Sequence, residues 1–599
     1  MMRALLLLAA VLALAAVAPV DAGKTGRGEG TAYSGPWEKN KTGKNSCQFG
    51  RLPARWEKYY AAIPSHVFKR ERDCGKCLKI RGTEKDAPGD WVIVKIVDEC
   101  ASCKGNGDVD LSTTALKEAT GYSWDRKDIE WEEVDCPDGS NNRKMLGYAH
   151  MSGGTQSHHG SSLAERVWRD FDIFRKRPEI LYLDTAATSQ HPDAVLHEMH
   201  RYYHRGCANV HKGVEHELSK ESTEHYEGAR CKVAKFINAP RPEEVIFTRN
   251  ATEGLNIVAH GWGMHHLHEG DEILMSVAEH HSVLAPFQQV AGKRGAKIVD
   301  VRLTQDSEEI DLEDSERKLS RKTKLVVMVH LSNVLGSVLP AARACRLAHE
   351  AGAVMLLDSC QFVPHRPTDV QALGCDFLVA SGHKMLAPTA SGFLWGRYDL
   401  LKRMEPLMVG GSTTGEIHFG RHSDAKPPLR FEAGTPAIAE AIGLGAACDY
   451  LMKLGMGAVH EYEEGLARQL YEELSGVPGI RILGPPPDVP EGRASLCYFL
   501  IEGCDMMSLA ADLDRRHIAV SAGFHRAKPL HTDYFQIGET MRASAYIYNT
   551  SNEISTFVAA LKECAAEQRR ERQGEGQEGA QGGEVAAPAE HERQSCVIA

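Results

Sequence analysis

The chain has 599 residues, 25% of them charged and 42% hydrophobic, the balance of ordinary soluble globular protein spread over several domains. Its formal net charge of -11, with no long run of Lys and Arg, excludes a general nucleic-acid binder. Six of the 16 cysteines precede residue 140 and the rest are thinly spread behind it, so the two parts of the chain suit different redox environments. At the start, Arg3, the apolar run Ala4–Val20 and the small-residue site ending at Ala22 predict a secretory signal peptide over residues 1–22. A retained membrane anchor is the weaker reading, because the run is short and has no basic flank behind it.

Residues 23–138 contain short β-type runs such as WVIVKIVD (Trp91–Asp98), broken by Gly, Pro and Asp, and predict a small β-barrel. The pairs CGKC (Cys74–Cys77) and CASC (Cys100–Cys103) stand 22 residues apart. Four thiolates so placed can hold a tetrahedral zinc. Disulfides are the favoured reading, since a signal peptide precedes and Cys47 and Cys136 complete an even set. The strings GTAYSG (Gly30–Gly35) and VKIVDECASCKGNGDVDLSTTAL resemble expansin-like, barwin-related double-psi β-barrel proteins. The resemblance implies a polysaccharide groove, with Asp110 as its acidic residue and Asp98 as the aspartate of the strand before. No partner carboxylate for Asp110 is evident, so binding or loosening of glycan is expected rather than hydrolysis, which needs two. Taken alone, Asp110 also reads as a helix-start aspartate near Ser112. Trp37, Trp56, Tyr59 and Tyr60 can stack on sugars, although core packing is the commoner fate of each.

Residues 139–162, rich in Gly, Ser and Asn, read as a linker. Beyond Leu163 the apolar runs EEVIFT, DEILMS, KLVVMVHL, VMLLDS and FLVAS alternate with helix-length segments. Such runs predict a large parallel or mixed sheet with both faces covered, followed after about Leu429 by a smaller α/β region. In ASGHKMLAP, Lys384 lies just past a buried strand and can hold an aldehyde as a Schiff base. Asp358, in LLDSCQFVPH, ends another buried strand. Pyridoxal phosphate chemistry needs this pair: the lysine carries the cofactor and the carboxylate keeps its pyridine nitrogen protonated. In NATEGLNIVAHG a Thr-Glu-Gly opens a helix whose free N–H groups suit a phosphate. His280, in AEHHSVLAPF, offers an aromatic plate.

These strings, with YLDTAATS, ANVHKGVEHELS, SNVLGSVLP and RFEAGTPAIAEAIGLGAACDY, closely resemble class V aminotransferase-fold enzymes from about Leu163 to Glu563. The nearest kinds are SufS-type cysteine desulfurases and selenocysteine lyases. The resemblance implies a fold type I domain over residues 163–566 and a role for each matching position. Lys384 matches the Schiff-base lysine, Asp358 the partner of the pyridine nitrogen, Gln361 the ligand of the ring hydroxyl and His280 the stacking histidine. Thr252, Ser381 and His383 match phosphate ligands. Gly434 and Thr435 match residues that reach the neighbouring subunit's phosphate, which implies a homodimer. Asn333 matches a substrate-side asparagine and Arg542 the arginine that pairs with the substrate α-carboxylate.

In the desulfurases the segment after the IAV strand reads R-x-G-x-H-C-A-x-P; here it is SAGFHRAKP. Ser521 replaces the first arginine and Arg526 the cysteine. An arginine is always protonated and cannot be the nucleophile that takes sulfur as a persulfide. The expected activity is therefore a lyase on a cysteine-like or acidic amino acid, with a transaminase, an epimerase or a cofactor-binding pseudoenzyme as alternatives. Cys207, in RGCANVHKG, falls in a segment expected near the mouth of the site, although a small, partly buried residue is its plainer reading.

From about Glu567 to residue 599 the tail is poor in apolar residues and is predicted to be disordered. Its end, CVIA from Cys596, fits a prenylation box, a cytosolic modification at odds with secretion. Asn40, in NKT, is a glycosylation acceptor if the chain is secreted. A merger of two coding regions, with Met145 or Met151 as a second start, would reconcile these signals. Two readings stand: a pyridoxal-phosphate enzyme whose N-terminal part is an appendage or an artefact, or a secreted glycan-binding protein with a silent enzyme domain.

Overall fold

The computed structural model describes residues 162–211 and 216–579 and, before them, six strands between Thr25 and Val134. The signal sequence, Asn40, Trp37, Trp56, Tyr59, four of the N-terminal cysteines (Cys47, Cys74, Cys103 and Cys136), Met145, Met151 and Cys596 lie outside the described residues. The chain divides into two compact units between His158 and His159.

The first unit is a closed barrel of β1 (Thr25–Ala32), β2 (Tyr60–Pro64), β3 (Cys77–Gly82), β4 (Val92–Cys100), β5 (Val109–Leu111) and β6 (Lys127–Val134), in the order β1-β5-β2-β4-β3-β6. Two of its pairings, β1 with β5 and β2 with β4, are parallel, and the rest are antiparallel. Closure leaves no free sheet edge. Ile80, Val92, Val94 and Ile129 are buried, as inward-facing residues of a small barrel must be. Asp110 lies inside β5, in register with Thr31 on one side and Ala62 on the other, so it does not start a helix. Asp98 of β4 is also in register with Ala62, which puts the two aspartates on strands flanking β2.

The second unit is built on a seven-stranded sheet. Its strands are β8 (Val245–Thr248), β9 (Glu272–Ser276), β10 (Lys297–Val301), β11 (Thr323–Val329), β12 (Val354–Asp358), β13 (Phe377–Ser381) and β14 (Gly392–Gly396), in the order β10-β9-β11-β12-β13-β14-β8. The sheet is mixed, because β14 runs antiparallel to both neighbours. An antiparallel return needs no crossover helix, so residues 382–391 form a short loop back from β13, and Lys384 sits in it. The carboxyl ends of β9, β11, β12 and β13 lie side by side, ending in Ser276, Val329, Asp358 and Ser381. In open α/β sheets this is the edge where ligands bind.

A smaller sheet, β17 (Ile480–Leu483), β18 (Leu496–Ile501), β21 (Thr540–Ser544) and β20 (Ser521–Gly523), is antiparallel throughout. It shares an apolar core with the helices Met456–Ser475, Met506–Asp514 and Ser551–Gly579. β19 (Ile518–Ala519) pairs with β7 (Leu181–Tyr182), holding the start of the module against this region. The last helix continues to Gly579, past the predicted loss of order at Glu567. Polar anchors extend it. Arg569 donates to the carbonyls of Pro478 and Glu502, Arg572 to that of Gly503, and Gln568 accepts from the Asp505 N–H at 2.7 Å. Among the described residues no helix is long and apolar enough to cross a membrane.

Candidate active site

Lys384 ends the 3-10 turn Gly382–Lys384, immediately after β13. The turn is tightly made. A Cβ on Gly382 would stand 2.1 Å from the Ser391 hydroxyl, and Ser189 accepts the Leu386 N–H at 2.8 Å. Asp358, at the end of β12 and only 4% exposed, faces the same cavity of about 660 Å³ as Lys384. One of its oxygens accepts the Cys360 N–H at 3.1 Å. Gln361, three residues on, gives its amide N–H to the Ala186 carbonyl at 2.8 Å, so its side-chain oxygen is left as an acceptor.

His280 caps the helix His281–Arg294. Its Nδ1 accepts the Ser282 N–H at 3.1 Å, which leaves the proton on Nε2. Burial, reinforced by Lys384 and the neighbouring cations, pushes its pKa down to about 3, so it is a neutral ring. At the other end of the cavity the helix Ala251–Val258 points its N-terminus inward. Asn250 caps it through the Glu253 N–H, Thr252 lies exposed on its first turn, and Ser381 accepts the Ala251 N–H at 2.9 Å. His383 also faces the cavity, its pKa lowered to about 4 by burial and by Lys384. A helix N-terminus with hydroxyls beside it suits a phosphate.

Arg542, on β21, is 4% exposed. It donates to the Asn333 carbonyl and to Asp184, each at 3.2 Å, and its Nε is buried without a partner. Asn333 in turn donates its side-chain N–H to the His525 carbonyl at 3.1 Å. His525 and Arg526 both hold left-handed backbone, with φ of 45° and 59°. Such geometry in non-glycine residues persists only where the surroundings over-determine it. Here the His281 N–H donates to the Arg526 carbonyl at 2.8 Å, and the Lys528 N–H to His281 Nε2 at 3.0 Å. Behind the loop His531 gives Nδ1–H to the Ala527 carbonyl and accepts the Tyr498 hydroxyl through Nε2. The guanidinium of Arg526 is exposed at the cavity and makes no ion pair or hydrogen bond among the described residues.

Lys384, Asp358, Gln361, His280, Thr252, Ser381, His383, Asn333, Arg542 and Arg526 are thus gathered around one cavity. Gly434 and Thr435 are not. Thr435 lines a separate cavity of about 390 Å³ and accepts from Asn209, while Gly434, at φ 79°, donates its N–H to the Gly411 carbonyl. Cys207 is exposed but does not line the Lys384 cavity, so no thiol reaches the mouth from that segment within the chain. The cavity thiol is Cys360, which the sequence reading passed over although it lies between Asp358 and Gln361. Burial holds that thiol far above its usual range. Also missed were Asp184, in the quoted YLDTAATS, and Lys528, two residues past Arg526.

A pyridoxal phosphate fits this set: an amine, a buried carboxylate, a neutral stacking ring and a helix N-terminus lie around one space, with an orphaned Arg542 Nε beside it for a carboxylate. Lys384 would hold it, Asp358 its ring nitrogen, Gln361 its hydroxyl and Thr252, Ser381 and His383 its phosphate. Bound there, the cofactor supplies an electron sink for charge developing on an amino acid.

Residues 26–136 match the Barwin family. The chain is 48% identical over 404 residues to a probable cysteine desulfurase of Synechocystis sp., covering 67% of this chain and 95% of that protein. It is also similar to two solved structures. One is an apo cysteine desulfurase from Thermococcus onnurineus NA1, with a TM-score of 0.64 at 36% identity, covering 67% of this chain and 98% of that one. The other is the cysteine desulfurase CsdA from Escherichia coli, with a TM-score of 0.63 at 33% identity, covering 68% and 99%. With the Aminotransferase class-V family matched over residues 181–557, the chain belongs to the class V aminotransferases, pyridoxal-phosphate enzymes that include the cysteine desulfurases.

Proposed function

We propose that this chain is a lyase that removes the β-substituent of a cysteine-like or acidic amino acid without forming a persulfide on itself. The observation that carries this reading is Arg526, an unpaired guanidinium at the cavity in the place where the resemblance sets a thiol. Arginine cannot take up sulfur as a nucleophile. Cys360 is held as the neutral thiol by burial, and the thiolate is the reactive form. Arg526 and Lys528 favour a substrate whose side chain is an anion, such as a sulfinate or a carboxylate. In this scheme Arg542 binds the α-carboxylate, Lys384 moves the proton at the α-carbon, and the neutral His280 stays a passive plate. With a sulfinate, the Cβ–S bond breaks, sulfur dioxide leaves and hydrates to sulfite, and Cβ takes a proton to give alanine.

The test is to feed the full chain L-cysteine sulfinate and L-cysteine separately, assaying sulfite, sulfide, alanine and protein persulfide. Sulfite and alanine in equal amounts, without persulfide, is the expected result. Persulfide on any cysteine overturns the reading. A visible cofactor band with no turnover of either amino acid would favour a transaminase or a pseudoenzyme.

We also propose a homodimer through the second unit. Supporting it are the exposed apolar side chains of Met408, Val409, Ile417 and Phe419, the last two on the hairpin β15 (Thr414–His418) and β16 (Arg421–Asp424) and its turn. Sedimentation at micromolar concentration checks it. For the barrel we propose glycan binding, supported by the register that sets Asp98 and Asp110 on either side of β2, with its cysteines, Cys77 among them, as disulfides. Retention of the full chain on cell-wall polysaccharide, lost in Asp110→Ala, is the expected result. An immunoblot for the size and compartment of the natural product separates a secreted fused chain from a cytosolic shorter one.

A further inference from the structure

We propose that Glu279 is a positioning residue of the cofactor site, which fixes the His280 ring relative to Asp358 and, through the same turn, seats the Arg526 loop. The inference rests on the cofactor assignment and not on the lyase reading. Glu279 lies in the turn between β9 and the helix His281–Arg294. It is wholly buried and does not line the cavity. Its Oε1 accepts the Ser276 hydroxyl at 2.5 Å and the Val329 N–H at 2.8 Å, bridging the carboxyl ends of β9 and β11. Its Oε2 is buried with no partner.

What surrounds this acid is the site itself. Val329 is the register partner of Asp358, and the next N–H, that of His330, donates to the Asp358 carbonyl at 2.8 Å. On the other side the chain passes directly into His280. One residue later, the His281 N–H and Nε2 hold the carbonyl of Arg526 and the N–H of Lys528. The strut from the sheet through Glu279 therefore ends at the ring plate and at the loop that carries the cation. Burial and the nearby Asp358 charge push the Glu279 pKa up to about 8, which makes it a neutral acid at neutral pH and spares Asp358 a like charge.

The test uses the full chain loaded with pyridoxal phosphate, and reads visible circular dichroism of the bound cofactor and its release rate on dilution. Glu279→Gln keeps a neutral acceptor for Ser276 and Val329 and should match the parent in both. Glu279→Ala should lose at least half of the visible dichroism and release the cofactor about tenfold faster. Ser276→Ala, which removes one of the two donors, should show a smaller change in the same direction and serves if Glu279→Ala does not fold. Parent-like dichroism and release in Glu279→Ala, or in Ser276→Ala where it stands in, overturn the proposal, as does a Gln variant as defective as Ala. A parent chain that takes up no cofactor overturns both the proposal and the cofactor assignment, whereas failure to turn over sulfinate touches only the lyase reading.

Discussion

Arg542 and Asn333 are joined guanidinium to carbonyl at 3.2 Å, while the second terminal nitrogen of Arg542 meets Asp184 and Nε has no partner. The arginine is thus held from two sides with a donor to spare. A buried, unsatisfied N–H is unfavourable unless a ligand takes it up. Arg542→Lys keeps the charge but loses the planar fork. It should raise KM for the amino acid about 10- to 100-fold, the scale of about 1.5–3 kcal/mol for a hydrogen bond to a charged group. The visible cofactor band should be unchanged, since Arg542 serves substrate rather than cofactor. Steady-state kinetics beside an absorption spectrum checks both halves.

Stability should fall on both sides of neutrality. Burial lowers the pKa of His280, His330 and His525 to about 3 and of His383 to about 4. Each contributes stability that is present above the unfolded value of about 6.5 and lost as pH falls through the folded value. Glu279 acts in the opposite sense. Raised to about 8, it contributes stability present below the unfolded carboxyl value and lost as pH rises through 8. Urea midpoints measured from pH 4 to pH 9 should therefore peak in between. Glu279→Gln should flatten the alkaline limb and somewhat steepen the acid one, since the Glu279 contribution is lost across the whole window from the unfolded carboxyl value up to about 8.

Glu432 should matter more to stability than its place in a loop suggests. It meets Arg230, a side chain 1% exposed, at 2.6 Å and 2.9 Å, and it also accepts the Tyr226 hydroxyl and the Phe247 N–H. Removing one partner of a buried pair costs about 3–5 kcal/mol; because Arg230 keeps Glu227 at 2.9 Å and 3.2 Å, the loss here falls at the low end, about 3 kcal/mol. Glu432→Ala should lower stability by that amount in urea unfolding. Breaking an exposed, solvent-screened pair such as Lys176 with Asp172 should leave the urea midpoint almost unmoved.

Chemistry was legible in the sequence where a motif and a strand end coincide. Lys384, Asp358 and Ser381 each follow or finish a near-continuous apolar run, and sheets bind ligands at that edge. β10 and β14 were not legible. β10 is an edge strand with Lys297 and Asp300 exposed, and β14 opens and closes on glycine, so neither has the apolar signature of a central strand. Glu279 was invisible for another reason. An acid before two histidines reads as surface, and only the fold reveals that it turns inward to β11. The helix over residues 567–579 was not legible because it is held by arginines on backbone carbonyls, which carry no hydrophobic period.

Arg526→Cys asks whether the loop still presents its side chain for sulfur transfer. Residues 525 and 526 hold left-handed φ at about 1–3 kcal/mol each, and the backbone there is fixed by Asn333 and His281. Those anchors are main-chain contacts and do not depend on which side chain position 526 carries. The variant should therefore place a thiol at the cavity mouth, next to Lys528 and beneath the field of Arg542, surroundings that lower a thiol pKa. Fed L-cysteine, it should gain a persulfide at that position, visible as a mass increase of one sulfur on the peptide. Its turnover of L-cysteine sulfinate should fall as the guanidinium is lost. A variant that binds cofactor and L-cysteine but stays free of persulfide would mean that the loop no longer delivers its side chain to the substrate. In that event Arg526 would owe its place to surface electrostatics, and the case for anionic substrates would rest on Lys528 alone.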